Sequence, residues 1–515
     1  MSASLQDVTD FDFIISEAYR INKELASSNF KDFYRKEYNR PLGSIGMTID
    51  TPYELIDKNN NIPRRQIHLS YLSKERLYSI AARYIKSNRL EMLVAVDELV
   101  AKIKDSLYIH IFINDGEDGI KGYTRILNNA FKMIKKEMVE EEFYFPVLAH
   151  GLIKDKISIG RTEIISSKKM YSIIGDTLTE DQLALSTRYC LSHKYPYEHF
   201  LKIPITKRSK KSRERIAKNI AGFVVGILHL FSEHYKISPH FLSLSTSPYP
   251  NYEGFYFTKK SNSNFNYNHS SIGRVVWSDK FWDKFEEDYC SNLGEVLSQL
   301  IDLAIEPNER SIISDRLIDA IYLFSSAQQD KDESSRIVKL ATALERLVSL
   351  PSEKKDSSTT KNFTRRISSL VSIYYPNEKD WDKVAKEMYE IRSDIAHGAW
   401  SLYRGVEPLY SSQYSELTSR AIFSACMGFY KRGFTENNND KLVKEFFDFL
   451  ENAIDKNKWQ VYVYAQCSPR HACPLKGPLL MQVQRWPQAA PQLALAGSAG
   501  SGKRMQNHAP YGCMA

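Results

Sequence analysis

Helical spacing of apolar residues continues from Asn308 to Asn457, and this feature restricts the possible folds of the chain more than any other. Polar segments divide it into predicted helices at 312–329, 333–350, 361–374, 379–397, 413–432 and 440–455. Helices with one apolar face bury that face against one another. Residues 308–457 are therefore expected to form an all-α helical bundle.

The first 300 residues mix two kinds of pattern. Helical spacing is found at 74–87, 90–104 and 213–235, whereas strands are predicted at 107–113, 143–148 and 156–165. The polar run 261–271 is interpreted as a loop. The predicted fold class is α+β: an N-terminal mixed α/β region, residues 1–300, with a sensing or regulatory role, followed by the bundle.

Residues 459–515 differ from the rest of the chain in composition. They contain no Ile, Phe, Asp or Glu and are rich in Ala, Pro, Gln and Gly. Without periodic apolar patterning, this segment is predicted to be a disordered, non-native tail.

The charge of the chain does not by itself indicate a nucleic-acid partner. Five of the 70 Lys and Arg residues lie in the tail, which leaves 65 basic against 62 acidic side chains elsewhere. The apolar run 220–231 is too short to span a bilayer, and the acidic N-terminus is unlike a signal peptide. The six scattered cysteines fit a reducing compartment. A cytoplasmic protein without membrane association is expected.

The segment Arg392-Ser393-Asp394-Ile395-Ala396-His397 carries residues that can cleave RNA without a metal. A histidine can take the proton of a ribose 2′-OH, and a guanidinium can stabilise the charge that develops on the phosphate. Asp394 lies three residues before His397, where it could orient the imidazole. The alternative is that His397 only caps helix carbonyls while Arg392 pairs with an acid.

The spacing of the two residues limits how they could form one site. Five residues of an α-helix turn through about 500°, so the two side chains point about 140° apart. Arg392 and His397 must therefore converge at the helix end or across an interface.

The helical region 308–457 resembles the Apea-like domains of the HEPN superfamily in the order of its motifs. The resemblance rests on LATALERLVSL (340–350), FTRRISSLVSIYY (363–375), AKEMYEIRSDIAHGAW (385–400) and ELTSRAIFSACMGFYKRGF (416–434). It implies an α-helical, usually dimeric bundle, in which many members are metal-independent endoribonucleases with a composite R-x4-6-H site. Other members are interaction modules without nuclease activity.

The resemblance also implies roles for single residues. His397 would be the general base and Arg392 the phosphate-binding group. Glu345 falls where such domains often place an acid, although an exposed ion pair is an equal alternative. In such domains the residue after the arginine is commonly Asn, Asp or His, and this polar residue supports catalysis. Ser393 departs from that pattern.

A basic run, residues 207–215, is the best local candidate for nucleic-acid contact. Its candidate phosphate-binding residues are Lys207, Arg208, Lys210 and Lys211. The alternative is a solvated basic face at the start of a helix. No metal or cofactor site is expected, and the histidines at 229 and 234 are interpreted as packing or surface residues.

Together these features predict a metal-independent endoribonuclease that acts on RNA as a homodimer. Phage defence or a toxin-like stress response is the setting that the resemblance implies. The alternative is a non-catalytic interaction or dimerisation module.

Overall fold

The computed structural model describes much of residues 1–458 and shows a mostly helical α+β fold. Its described residues are 2–27, 32, 69–110, 118–191, 197–245, 253–259, 263–269, 280–306, 312–330, 332–350, 359–375, 380–401, 408–433 and 440–455. The tail predicted for 459–515 lies outside them. The α+β class expected for the chain is confirmed at this level.

Four N-terminal helices enclose a hydrophobic core of their own. They are α1 (Leu5–Ser27), α2 (Tyr71–Ser87), α3 (Val96–Tyr108) and α4 (Ile120–Glu137). Phe11, Leu77, Leu99 and Tyr123 are wholly buried in this core. Arg83 donates to both Asp7 and Asp10, at 2.9 and 2.6 Å, and so ties α2 to α1.

The strand predicted for 107–113 is wrong where the structure describes it, because α3 continues through Tyr108. Leu99, Ile103 and Leu107 follow helical spacing and are buried in the N-terminal core. A short apolar run does not distinguish a buried helix from a buried strand, and here the tertiary contacts select the helix. Residues 111–117 lie outside the described part of the chain.

The described residues also form a five-stranded antiparallel sheet in the order β2-β3-β4-β1-β5. Its strands are β1 (Val139–Ala149), β2 (Lys156–Ile159), β3 (Thr162–Ser166), β4 (His199–Arg208) and β5 (Leu242–Leu244). Helices α5 (Ser167–Ile174) and α6 (Glu180–Leu191) lie between β3 and β4. The strand predicted for 156–165 is instead a hairpin, with Gly160 at φ +56° in its turn. A Cβ at Gly160 would meet Ile301 Cδ1 at 3.1 Å.

A separate hairpin corrects the predicted polar loop at 261–271. Strands β6 (Glu253–Lys259) and β7 (Ser263–His269) pair antiparallel, with Phe257 opposite Phe265.

Helix α7 (Lys210–His234) is the central element against which the sheet and the C-terminal helices pack. By length and composition it could cross a membrane, but 78% of its apolar window is buried inside the chain. Within it, His229 is buried, with Nε2 2.6 Å from the Leu242 carbonyl and Nδ1 3.1 Å from Ser325 Oγ. His229 is therefore a packing residue whose two nitrogens have partners.

The C-terminal helices agree closely with the predicted ones. After α8 (Phe281–Asp288) and α9 (Gly294–Ile305) come α10 (Ile312–Gln328), α11 (Glu333–Val348), α12 (Thr359–Tyr374), α13 (Trp381–Ala396), α14 (Ser411–Lys431) and α15 (Asp440–Asp455). The close approach of α7 to α10 requires Gly226, where a Cβ would lie 2.8 Å from the Ile321 carbonyl oxygen.

The hydrophobic core does not break at the predicted boundary between residues 300 and 308. One cluster joins Leu201 of β4, Leu228 of α7, Leu317 of α10 and Met388 of α13, all wholly buried. The N-terminal helices have the separate core, so the change of core falls between α4 and β1. The division into domains at 300–308 stays a prediction.

Burial at the end of α7 lowers the pKa of His234 from 6.5 to about 4, with Arg420 and Lys236 adding to the effect. Its ring lies edge-on to Phe423, with the ring centroids 6.1 Å apart. The unfolded chain therefore binds a proton at this histidine below pH 6.5, whereas the folded chain does so only near pH 4. Folding stability associated with His234 is thus present above pH 6.5 and is lost as the pH falls towards 4.

Replacement of His234 by Gln should reduce the loss of stability between pH 7 and pH 4.5. The full shift corresponds to at most about 3 kcal/mol, so a smaller difference between the two proteins is expected. Urea unfolding midpoints at both pH values measure it. Equal losses in wild type and H234Q would contradict the assignment, since the carboxylates common to both proteins contribute equally.

Candidate functional site

The segment 392–397 lies at the C-terminal end of α13, as its sequence predicts. Trp381, Val384, Ala385, Met388 and Ile391 form the buried face of this helix. The regular hydrogen bonding ends at His397, and Gly398 follows in the left-handed region at φ +78°. No atom lies within 4 Å of a Cβ built at Gly398, so backbone conformation rather than space favours glycine there.

Arg392 is fixed by an ion pair to Glu345 of the neighbouring helix α11. Arg392 Nη2 lies 2.9 Å from Glu345 Oε2, and the two side chains are 28% and 17% exposed. Burial raises the pKa of the Glu345 carboxyl, and the Arg392 charge opposes that rise. A guanidinium has five N–H donors, so this contact leaves others for a phosphate. The structure thus brings together two of the predicted site residues.

Tyr389 lies near this ion pair and was not assigned a role from the sequence. It lies one helical turn before Arg392, and its ring packs on Phe363 with the centroids 4.7 Å apart. Burial raises the pKa of its phenol, and the nearby Glu345 carboxylate raises it further. The only signal in the sequence is the spacing Tyr-x-x-Arg, which places both side chains on one face.

His397 is exposed. Among the described residues, the structure records no hydrogen bond or ion pair between the His397 ring and Arg392 or Asp394. The predicted support of His397 by Asp394 is therefore not observed. The Ser393 hydroxyl likewise has no recorded partner in the described part of the chain, and its carbonyl accepts from the His397 N–H at 2.9 Å.

The chain turns back over the end of α13 directly after His397. The Gly398 N–H donates to the Ile395 carbonyl at 3.3 Å, and the Trp400 N–H donates to the Asp394 carbonyl at 3.1 Å. These bonds satisfy carbonyls that a helix C-terminus otherwise leaves free. Trp400 is thereby held beside the last turn of the helix and is 42% exposed.

Glu387 fastens the start of α14 to α13 and was also missed from the sequence. Its carboxylate accepts from the Leu409 and Tyr410 N–H groups at 2.7 and 3.0 Å, and from the Tyr414 hydroxyl at 2.6 Å. It satisfies free donors at the N-terminus of α14, which has no side-chain cap of its own. A long-range cap of this kind leaves no local pattern in the sequence.

The basic run 207–215 is largely structural, which corrects one predicted residue. Arg208 is wholly buried, and it donates to the carbonyls of Met92 and Ile305. It therefore cannot reach a phosphate outside the protein. Lys211 is exposed but forms an ion pair with Asp97, whereas Lys207 and Lys210 are exposed at the surface.

Within the described residues, no group of three His, Cys, Asp or Glu side chains is placed to hold a metal ion. Comparisons with protein-family models, curated proteins and solved structures give no match. The resemblance to Apea-like HEPN domains remains a prediction that rests on the order of the sequence motifs.

Proposed function

We propose that this chain is a metal-independent endoribonuclease of the Apea-like HEPN type that acts as a homodimer. The supporting observation is the end of α13, where a solvent-accessible guanidinium is fixed by Glu345 and an exposed imidazole follows five residues later. Both groups are reachable from outside, as a macromolecular substrate requires. The proposal includes a cytoplasmic location, no membrane association, and a role in phage defence or a toxin-like stress response.

The proposed reaction is an internal transfer within the RNA strand. His397 removes the proton from a ribose 2′-OH, and the 2′ oxygen forms a bond to the adjacent phosphorus. The bond from phosphorus to the 5′ oxygen breaks, and that oxygen takes a proton from water and leaves as a 5′-OH, while His397 returns its proton to water. The products are a 2′,3′-cyclic phosphate and a 5′-OH end. Arg392 binds the phosphate oxygens as their charge increases.

In the proposed dimer, Arg392 and His397 of different protomers form one site, because the two side chains are not in recorded contact within one chain. Arg392 is held towards α11, whereas His397 occupies the exposed end of the helix. A two-fold axis beside this end would bring the Arg392 of one protomer near the His397 of the other. The four N-terminal helices, which have a separate core, are then the proposed sensing or regulatory part.

Incubation of the purified chain with RNA in EDTA tests the function. Wild type should cleave the RNA and leave 2′,3′-cyclic phosphate ends, whereas H397A and R392A should each lose at least about 100-fold in rate. Lys386 is a matched control, because it is an exposed cation on the same helix outside the site. K386A should keep the wild-type rate.

Either of two results would contradict the proposal. One is intact RNA with wild type after EDTA treatment, and the other is cleavage that H397A retains in full. Metal dependence would appear as activity that EDTA abolishes and a divalent cation restores.

A non-catalytic interaction module is the second candidate. It is favoured by the existing partner of Arg392 and by the lack of any recorded contact between His397 and Asp394 in the described residues. Under this alternative the bundle still forms a dimer, and wild-type chain leaves RNA intact. The cleavage assay therefore separates the two functions, and sedimentation tests the dimer that both require.

A further inference from the structure

Trp400 is unusual among the tryptophans that the structure describes. Trp282 and Trp381 are 3% and 2% exposed, whereas Trp400 is 42% exposed. No ring contact or cation–π contact of Trp400 with another described side chain is recorded. An indole face in water is a large apolar surface without a partner, and it is available to a ligand.

The position of Trp400 is fixed relative to the proposed site. The backbone N–H of Trp400 donates to the Asp394 carbonyl at 3.1 Å, within the last turn of α13. The left-handed Gly398 makes this return possible, because φ +78° reverses the direction of the chain directly after His397. Trp400 is thus anchored through its backbone to the helical turn that carries Arg392 and His397.

We infer that Trp400 is a base-stacking residue of the proposed ribonuclease site, and that its substrate class is single-stranded RNA. The inference rests on the proposed function. Aromatic side chains bind bases by stacking only where the bases are free of a duplex. A base stacked on Trp400 would hold the strand across the end of α13 and place a ribose and its phosphate near His397 and Arg392.

Single-stranded RNA also suits the reaction. Attack by the 2′ oxygen needs that oxygen in line with the departing 5′ oxygen, and the regular A-form duplex does not provide this alignment. A base splayed out and stacked on a side chain frees its nucleotide to reach the required geometry. Trp400 would therefore contribute the preference for single-stranded over double-stranded RNA, whereas Arg392 and His397 carry out the chemistry.

The test measures binding in a full-length chain that does not cleave, H397A. The probe is a short fluorescein-labelled RNA, offered as a single strand and as a duplex at one fixed salt concentration. W400A in this background should weaken single-strand binding about tenfold, and W400F should retain most of the affinity. Duplex binding should change little in either variant.

Leu409 provides the matched control, because it is 86% exposed and lies just before α14. L409A in the H397A background should bind the single strand as tightly as its parent. Equal binding by W400A and its parent would overturn the inference, as would equal weakening by L409A or no single-strand binding by the parent. Loss of the dimer in W400A, measured by sedimentation, would instead make Trp400 a subunit contact. RNA cleavage by wild type is measured in a separate assay from RNA binding. Failure of the nuclease proposal is therefore distinguishable from failure of the stacking role.

Discussion

RNA cleavage should return when the inactive H397A and R392A chains are mixed and allowed to exchange subunits. In the proposed site, Arg392 of one protomer acts with His397 of the other. A mixed dimer then contains one intact pair and one pair that lacks both groups. Random exchange makes about half of the dimers mixed, so about a quarter of the wild-type activity is expected.

The effect is large because each variant alone should retain at most about one hundredth of the wild-type rate. The measurement is the initial rate of cleavage of a labelled RNA, before and after exchange. A double variant, R392A/H397A, mixed with either single variant, is the matched control and should restore nothing. If H397A and R392A also restore nothing while co-purification of differently tagged chains shows mixed dimers, the composite site is wrong and each site belongs to one chain.

Loss of the Arg208 side chain should destabilise the chain by about 4 kcal/mol, because it combines a cavity with two lost charge-assisted hydrogen bonds. Arg208 is wholly buried at the end of β4. It binds the Met92 carbonyl between α2 and α3 and the Ile305 carbonyl at the end of α9. Three parts of the fold therefore meet at one guanidinium. The urea midpoint of R208A, compared with wild type, measures the loss.

Each of these carbonyls retains a hydroxyl donor, Ser212 at 3.0 Å or Thr206 at 3.3 Å. For this reason R208M, which keeps most of the volume, should lose less stability than R208A. Lys207 is the matched control, since it is the exposed basic neighbour, and K207A should stay within about 0.5 kcal/mol of wild type. Equal midpoints for R208A and K207A would show that the buried guanidinium contributes nothing.

The helices of residues 308–457 could be predicted from the sequence because their apolar spacing is local and regular. The predicted helix at 440–455 coincides with α15, and the helix that carries Arg392 ends at His397, directly before Gly398, as expected. Predictions failed where a short run allowed two structures. Residues 107–108 belong to α3, and 263–269 form a strand.

The candidate site divides in the same way. The sequence identified Arg392, His397 and Glu345, because residue type and helical spacing are visible without a structure. It did not identify the capping role of Glu387, which depends on contacts with the start of α14. It also did not identify Trp400 as an exposed indole, because that exposure depends on the turn after α13. The sequence also predicted that Arg208 lies at the surface, because a run of basic residues looks the same in a sequence whether their side chains are buried or exposed to solvent.

The sequence by itself determined where most helices of the C-terminal region lie and where α13 ends, since periodicity and a left-handed glycine act over a few residues. Only the tertiary structure decided that α7 is buried in the protein core, that Arg208 joins three parts of the fold, and that Arg392 pairs with Glu345. Those outcomes depend on contacts between residues far apart in the chain, and the free energy of burying a charge or an apolar face is set by such contacts.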